Sequence, residues 1–309
     1  MAENKTENIN FAYGGQAVIE GVMVRGKNNF SVAVRTPHET IATTSQPLSP
    51  IFTGYARRVL LLRGVLILVE ALVLGVKALN ISAQLAVQNE PESSEEGLSN
   101  WLLGLTVAFS LTLGIGLFFV LPLLIVHFID PWIASSLTSN IIEGIIRLFI
   151  LLAYISAIGF IKDIKRVFAY HGAEHMAVHA HEALLPLTIV NVRKFGTPHP
   201  RCGTAFLLTV VLVSIIVFAF LGRPDLEWRI LSRLLLIPVV AGISYELIRF
   251  SGTHQTWGIS KVISGPGLLL QRLTTRQPDD QQIEVAIEAL HTAMEADETE
   301  QDERLPHGP

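Results

Sequence analysis

The chain has 309 residues, 50% hydrophobic and 16% charged, with a mean hydropathy of +0.45. A soluble domain carries about 25% charged residues, so this shortfall, with several long apolar runs, excludes an ordinary soluble enzyme and implies a protein embedded in a lipid bilayer. The formal net charge of −4 and the single Cys give no basis for a nucleic-acid partner or for an intramolecular disulfide framework.

Residues 1–10 are polar and lack the apolar core of a cleavable signal peptide. They read as disordered, so membrane insertion falls to an internal segment. Residues 11–55 are Gly-rich. Gly14, Gly15, Gly21 and Gly26 bracket a short apolar run holding Glu20 and Arg25. Ser31–Arg35 has β-type composition, and a second short β segment fits Glu39–Thr44. A small β element is expected, with a hairpin around Gly26–Asn29. The glycines serve either turns or a ligand-facing loop, and Glu20 and Arg25 are candidates for positioning substrate.

Residues 56–87 form a long helical pattern with a very apolar middle, Gly64 to Val76. Arg63, Glu70 and Lys77 recur every seven residues and share one face. Charges inside a span are costly, so this helix is expected to lie in the interface, to re-enter, or to pack its polar stripe against other helices. Residues 88–100 are an acidic, Ser-rich linker. Four spans follow, at Trp101–Phe128, Ile141–Ile161, Ala205–Leu221 and Leu231–Ile248. Pro122 is expected to kink the first. Asp130-Pro131-Trp132 marks a turn after it. In the second, Glu143 and Arg147 are four apart and can pair. Arg223–Arg229 reads as a polar turn. Ser264–Gly267 reads as another, followed by a short apolar stretch, Leu268–Gln271. From Pro278 onward, Ile283, Ala286, Ile287, Leu290 and Met294 keep helical spacing. The C-terminal helix is placed at 277–296 and a polar tail at 297–309.

The expected fold is therefore mainly α and membrane-embedded. It has about four transmembrane helices, an interfacial or re-entrant amphipathic helix, a small N-terminal β element and a C-terminal helix. The helical membrane domain covers 101–276 and includes a His-rich segment at 162–204. Lys and Arg concentrate between Lys162 and Arg201 and after Ile248, which sets both regions, and both termini, on the cytoplasmic side.

Five of the ten His fall between 171 and 199, and Cys202 follows them. If 168–182 is a helix, His171 and His175 project from one face, about 6 Å apart along its axis. That suits two imidazoles gripping one ion, with Glu174 beside them. The string His-x-x-Glu-His is the inverted zincin pattern, in which two His bind zinc and the Glu is the general base. A divalent ion, zinc above others, takes imidazole, thiolate and carboxylate ligands. Glu182, His199 and Cys202 are candidates to complete the shell, with Glu246 a further one; His179 lies on the same face and His181 points away. Cys202 is open to three roles: ligand, nucleophile or buried structural thiol. Glu246, near the end of the last span, reads either as a functional carboxylate or as the partner of Arg249.

Taken together, GGQAVIEGVMVRG at 14–26, YHGAEH at 170–175, HPRCGT at 199–204, SYE at 244–246 and LTTRQPDD at 273–280 followed by IEVAIEAL make the chain similar to the YqhQ-like family of bacterial membrane proteins. The resemblance covers about residues 11–292. That family has no established substrate and is described as one of predicted metal-dependent enzymes. The resemblance implies a multi-pass protein of the bacterial inner membrane with a metal site in its His-rich motif. Met176 stands where the family pattern carries Lys, and His181 where it usually carries Tyr. The first departure removes a charge beside the site and leaves the expected ligands intact. The second removes His181 from any shared role.

The leading functional expectation is a metal-dependent enzyme, hydrolase-like, with its site at the cytoplasmic face. His171 and His175 would bind the ion, and Glu174 would act as general base. The alternatives are a membrane adaptor or assembly factor with a structural metal, as a homo-oligomer or with a membrane-protein partner, and a transporter whose path is lined by Arg63, Glu70, Lys77, Glu143 and Arg147. The substrate is not legible.

Overall fold

A computed structural model describes residues 11–87, 100–254 and 256–304. The expected N-terminal disorder and nearly all of the acidic linker lie outside these residues. Four strands form an antiparallel meander in sequence order: β1 (Gly14–Val18), β2 (Gly21–Arg25), β3 (Asn29–Arg35) and β4 (Ile41–Pro47). The helices follow: α1 (Pro50–Thr53), α2 (Leu62–Val87), α3 (Asn100–Ile115), α4 (Leu121–Ile129), α5 (Ser136–Ile158), α6 (Lys162–Glu182) and α7 (Ile189–Val192). The remainder are α8 (Gly203–Ala219), α9 (Leu226–Leu235), α10 (Ile237–Thr253), α11 (Gly258–Thr274) and α12 (Asp280–Arg304).

The hairpin joining β2 and β3 sits where the sequence places it, closed by Gly26 N donating to Asn29 O (2.8 Å). Between β1 and β2 the turn is only Ile19-Glu20, and Glu20 takes a left-handed φ of 52°. Side chains alternate across the pleat, and both faces of the central strands are apolar because both are covered. Val22, Val24 and Ala33 face α6 and α12, where they join Tyr170, Ala173, Ala177, Ile283 and Leu290. Met23, Phe30, Val32 and Val34 face α2, where they meet Leu74 and Ala78. The β meander is thus held between helices, and it carries α6 on one side.

Among the described residues, three helical stretches are long and apolar enough to cross a membrane: Leu62–Ala86, Gly104–Trp132 and Ser136–Ile158. The α9–α10 pair, bent by 42°, makes a fourth if the two helices count as one broken span, and α8 is a shorter apolar helix. Their outer surfaces expose large side chains such as Phe109, Phe149 and Ile216, as lipid-facing helices do. Within Gly104–Trp132 the irregularity precedes Pro122: residues Gly116–Val120 form a π-turn, and Pro122 then sits in the first turn of α4. A proline is tolerated there because its missing N–H has no helical partner to lose.

The second half of α2 lies on the sheet, with Gln16 Nε2 donating to Ala71 O (3.2 Å). Its first half packs on α10, so closely that a Cβ on Gly64 would come within 2.8 Å of Gly242 Cα. Leu48 shares a core with Leu74 and Ala78. The stretch from 48 to 85 therefore begins and ends against the sheet. Two charges of its polar stripe are taken up by neighbours: Arg63 pairs with Glu246 of α10, and Glu70 with Arg25 (3.0 Å) and Arg57 (3.1 Å).

Three expectations need correction. Most of the supposed polar turn Arg223–Arg229 is the start of α9, because Arg229 and Arg233 are buried and turned inward onto Glu143. Ser264–Gly267 is no turn but the middle of α11. Its small residues allow α11 to touch α8, where a Cβ on Gly267 would stand 2.6 Å from Ala205 Cβ. And α12 runs past residue 296 to Arg304, since Asp297 is buried and tied to the β2–β3 turn.

Candidate metal centre

α6 continues beyond the last apolar turn of the membrane helices and passes beneath β1. Gly172 permits this, because the backbone at Arg276 crosses the helix where a Cβ would be only 2.2 Å from Arg276 O. Arg276 N donates to Phe168 O (2.9 Å) at the same crossing. The turns at 197–202 and 274–276 and strand β1 then close around one face of α6.

His171 and His175 present that face, with ring centroids 4.4 Å apart. His171 Nδ1 lies 2.8 Å from Thr274 O, and His175 Nδ1 lies 2.5 Å from Thr197 O. A carbonyl oxygen can only accept, so both Nδ1 atoms carry the proton and both Nε2 lone pairs are left to face Cys202. Metal-binding imidazoles are oriented in this way. His171 Nε2 is 3.2 Å from Cys202 Sγ, and the ligand atoms of His171, His175 and Cys202 all lie within 4.8 Å of one another. Cys202 caps the start of α8, with Sγ accepting from Thr204 N (3.3 Å). Burial pushes His175 and His179 below the usual imidazole range, toward the neutral form that binds metals.

Glu174 is 4% exposed and lies under β1, with Oε2 3.5 Å from His175 Nε2. Burial pushes its carboxyl above the usual range, against the pull of His171, His199, the Gly15 amide and His179. It is the one carboxylate held directly against the His171–His175–Cys202 group among the described residues.

The five residues expected to share one ligand shell fall into two adjoining groups. His171, His175 and Cys202 form one; His199 and Glu182 form the other with His179. The His179 and His199 rings are 4.5 Å apart, and His175 and His199 5.6 Å, so the two groups are contiguous. His179 Nε2 donates to Pro198 O (2.9 Å). His199 Nδ1 accepts from Arg201 N (3.3 Å), leaving Nε2 as the protonated atom, 3.4 Å from Glu182 Oε1. The ligand atoms of His179, Glu182 and His199 lie within 4.8 Å of one another, so this group too could hold an ion. Glu182 also pairs with Arg201. Burial raises its carboxyl, but the His199 bond, with Arg201 and His179, outweighs this and holds it below the usual range. His181 turns away and packs edge-on against Tyr13, 5.3 Å between centroids.

The three candidates for substrate positioning are engaged elsewhere. Glu20 accepts from Arg166 Nε (2.6 Å) and Tyr170 Oη (3.3 Å). Arg25 pairs with Glu70. Glu246 accepts from Arg63 Nε (2.6 Å), not from Arg249. The charges considered for a transport path also separate. Arg63 and Glu70 belong to the two clusters just named, and Glu143 gathers Arg147 (2.7 Å), Arg229 (3.2 Å) and Arg233 (3.1 Å) in a third, buried one.

The residues that fix the cluster are neutral ones that sequence patterns do not single out. Gln271, fully buried in α11, clamps the His199 backbone from both sides: His199 N donates to Oε1 (2.6 Å) and Nε2 donates to His199 O (2.8 Å). Thr197 and Thr275 join hydroxyl to hydroxyl (3.0 Å). The only sequence signal was the LTTRQPDD string, which carries Thr274 and Thr275.

The donor set, two imidazoles oriented by backbone carbonyls, one thiol and an adjacent buried carboxylate, fits a divalent transition ion. Fold and cluster define a multi-helix protein with apolar membrane helices, a small β meander and a His–Cys–Glu cluster between them. The chain belongs to the family described as "Protein of unknown function (DUF1385)", whose profile matches residues 59–296. It is 33% identical over 308 residues to the uncharacterized protein YqhQ of Bacillus subtilis (strain 168), covering 96% of each chain. No solved structure matches it.

Proposed function

We propose that the protein is a metal-dependent enzyme, hydrolase-like, of the bacterial inner membrane, with its site and both termini on the cytoplasmic side. The observation that carries this reading is the paired orientation of His171 and His175. Each donates a hydrogen bond from Nδ1 to a backbone carbonyl and turns Nε2 toward Cys202. His171, His175 and Cys202 would hold the ion, zinc being the ion best matched to imidazole and thiolate together. When bound, such an ion supplies Lewis-acid chemistry to a hydrolytic reaction. Glu174, buried beside the group, takes a proton from the attacking water and returns it to the leaving group. His199, Glu182 and His179 bind and orient the polar part of the substrate at the adjoining edge.

Elemental analysis of the purified protein tests the metal. About one zinc or other transition ion per chain is expected, with loss in the His171→Ala, His175→Ala double variant. A metal-free wild-type protein, or metal retained in the double variant, overturns the assignment. Glu174→Gln separates an enzyme from a protein with a structural ion. It is expected to keep metal and fold while failing to complement a deletion strain.

A further inference from the structure

Between α5, α8, α11 and the π-turn before α4 lies a cavity of about 310 Å³, within the range of roughly 300–1,000 Å³ typical of small-molecule sites. Phe118, Leu151, Ile155, Leu207, Val211 and Leu270 form most of its wall. Two of the polar side chains that border it, Arg147 and Ser214, have their hydrogen bonds made elsewhere. Arg147 donates from Nε to Phe118 O (2.9 Å), from Nη1 to Ser214 Oγ (3.0 Å) and from Nη2 to Glu143 (2.7 Å). Ser214 Oγ donates in turn to Val211 O (2.7 Å). Thr204 and Thr274 close the opposite end, their hydroxyls 3.4 Å apart. These two also support the cluster: Thr204 Oγ1 is 3.1 Å from Cys202 Sγ, and Thr274 O accepts a hydrogen bond from His171 Nδ1.

The cavity thus offers mostly hydrocarbon contact along its length, with the paired Arg147 and Ser214 toward one end and Thr204 and Thr274 where it abuts His171 and Cys202. A polar ligand entering it would lose its hydration without finding partners. At its rim Tyr154 and Leu207 are 43% and 50% exposed. They lie on α5 and α8, whose outer faces carry exposed Phe149 and Ile216.

The geometry points to a substrate class for the site: a membrane lipid whose hydrocarbon chain enters from the bilayer past Tyr154 and Leu207 and fills this cavity. Its polar linkage stops at the Thr204–Thr274 wall beside the cluster. What happens to the linkage rests on the metal-enzyme reading above; the seating of the chain does not. An acyl chain and an isoprenoid chain share the chemistry required.

The test uses the full-length protein in detergent micelles and two photoreactive probes. One is phosphatidylglycerol with a diazirine in mid-acyl chain; the other is a polyprenyl phosphate with a diazirine in its chain. Crosslinks to buried Val211 or Leu270 are expected in at least one arm, and the reacting arm names the chain type. Val210→Trp, which fills the cavity, and Leu207→Trp, at its exposed rim, are each expected to abolish those crosslinks while metal content stays unchanged. Crosslinks confined to Phe149 and Ile216, or cavity crosslinks that persist in both Trp variants, overturn the lipid site. Cavity crosslinks in a metal-free wild-type protein overturn the enzyme reading alone; full metal content without cavity crosslinks overturns the lipid site alone.

Discussion

At Gly15 the sheet and the cluster touch. A Cβ there would come within 2.1 Å of Met23 O and 3.3 Å of Glu174 Cγ. Overpacking a site of this kind costs about 1–3 kcal/mol, so Gly15→Ala is expected to lower the unfolding midpoint in detergent and to disturb Glu174. An unchanged midpoint would mean that the sheet and Glu174 yield to the added methyl without cost. Cys202→Ser tests the third ligand: zinc affinity, read by chelator competition, is expected to fall by about tenfold or more. Unchanged affinity would remove Cys202 from the shell. The pairing of His171 with His175, and Glu174 beside them, was legible because helical spacing alone brings such residues together. Thr197, Thr274 and Gln271 were not, because a neutral side chain becomes a clamp only once α11 has docked on the turn at 197–202.

Among the elements, α5, α8 and α9 meet around one carboxylate. Glu143 faces three buried guanidinium groups, and Asp130 adds a second acid by accepting from Arg229 (2.5 Å). Removing one member of a buried pair costs about 3–5 kcal/mol. Glu143→Gln is therefore expected to destabilise the helical bundle strongly in a detergent melt, with little change in zinc affinity, since the cluster lies at the other end of α8. A variant as stable as the wild type would make this network dispensable. The link from Glu143 to Arg147 could be read from their spacing. The links to Arg229 and Arg233 could not, since nothing local distinguishes an arginine that starts a helix facing inward from one in a solvent turn. The same limit misplaced Ser264–Gly267: Gly and Pro mark turns by composition, but here they give α11 the thin profile that lets it lie on Ala205.

Across the whole molecule, the sheet, α6 and α12 share a single apolar core. Whatever the membrane contains, these three must lie on one side of it. Reporter fusions at residues 40 and 185 are accordingly expected to report the same side; opposite sides would rule out this packing in the cell. The alternation of hydrophobic runs revealed the membrane helices, and the charged stripe of 56–87 revealed that this helix packs its charges against neighbours. That the sheet is covered on both faces could not be read, because its second cover, α12, lies more than two hundred residues away in the chain.

That distance bears on how the protein is made. Asp297 accepts from the backbone N–H of Lys27 (2.8 Å) and Asn28 (3.3 Å), from Asn29 Nδ2 (3.0 Å) and from Tyr13 Oη (3.1 Å). The meander is synthesised first and its α12 cover last. Contacts of such long sequence separation form late, and an uncovered apolar sheet face invites aggregation until they do. The part of that face that α6 does not cover therefore waits for α12 while the membrane helices are threaded. Docking of α12, not insertion of the last span, is the event that completes the cover of the sheet. Nascent chains arrested before residue 280 are expected to be digested by added protease at the meander, and the full-length protein to resist it.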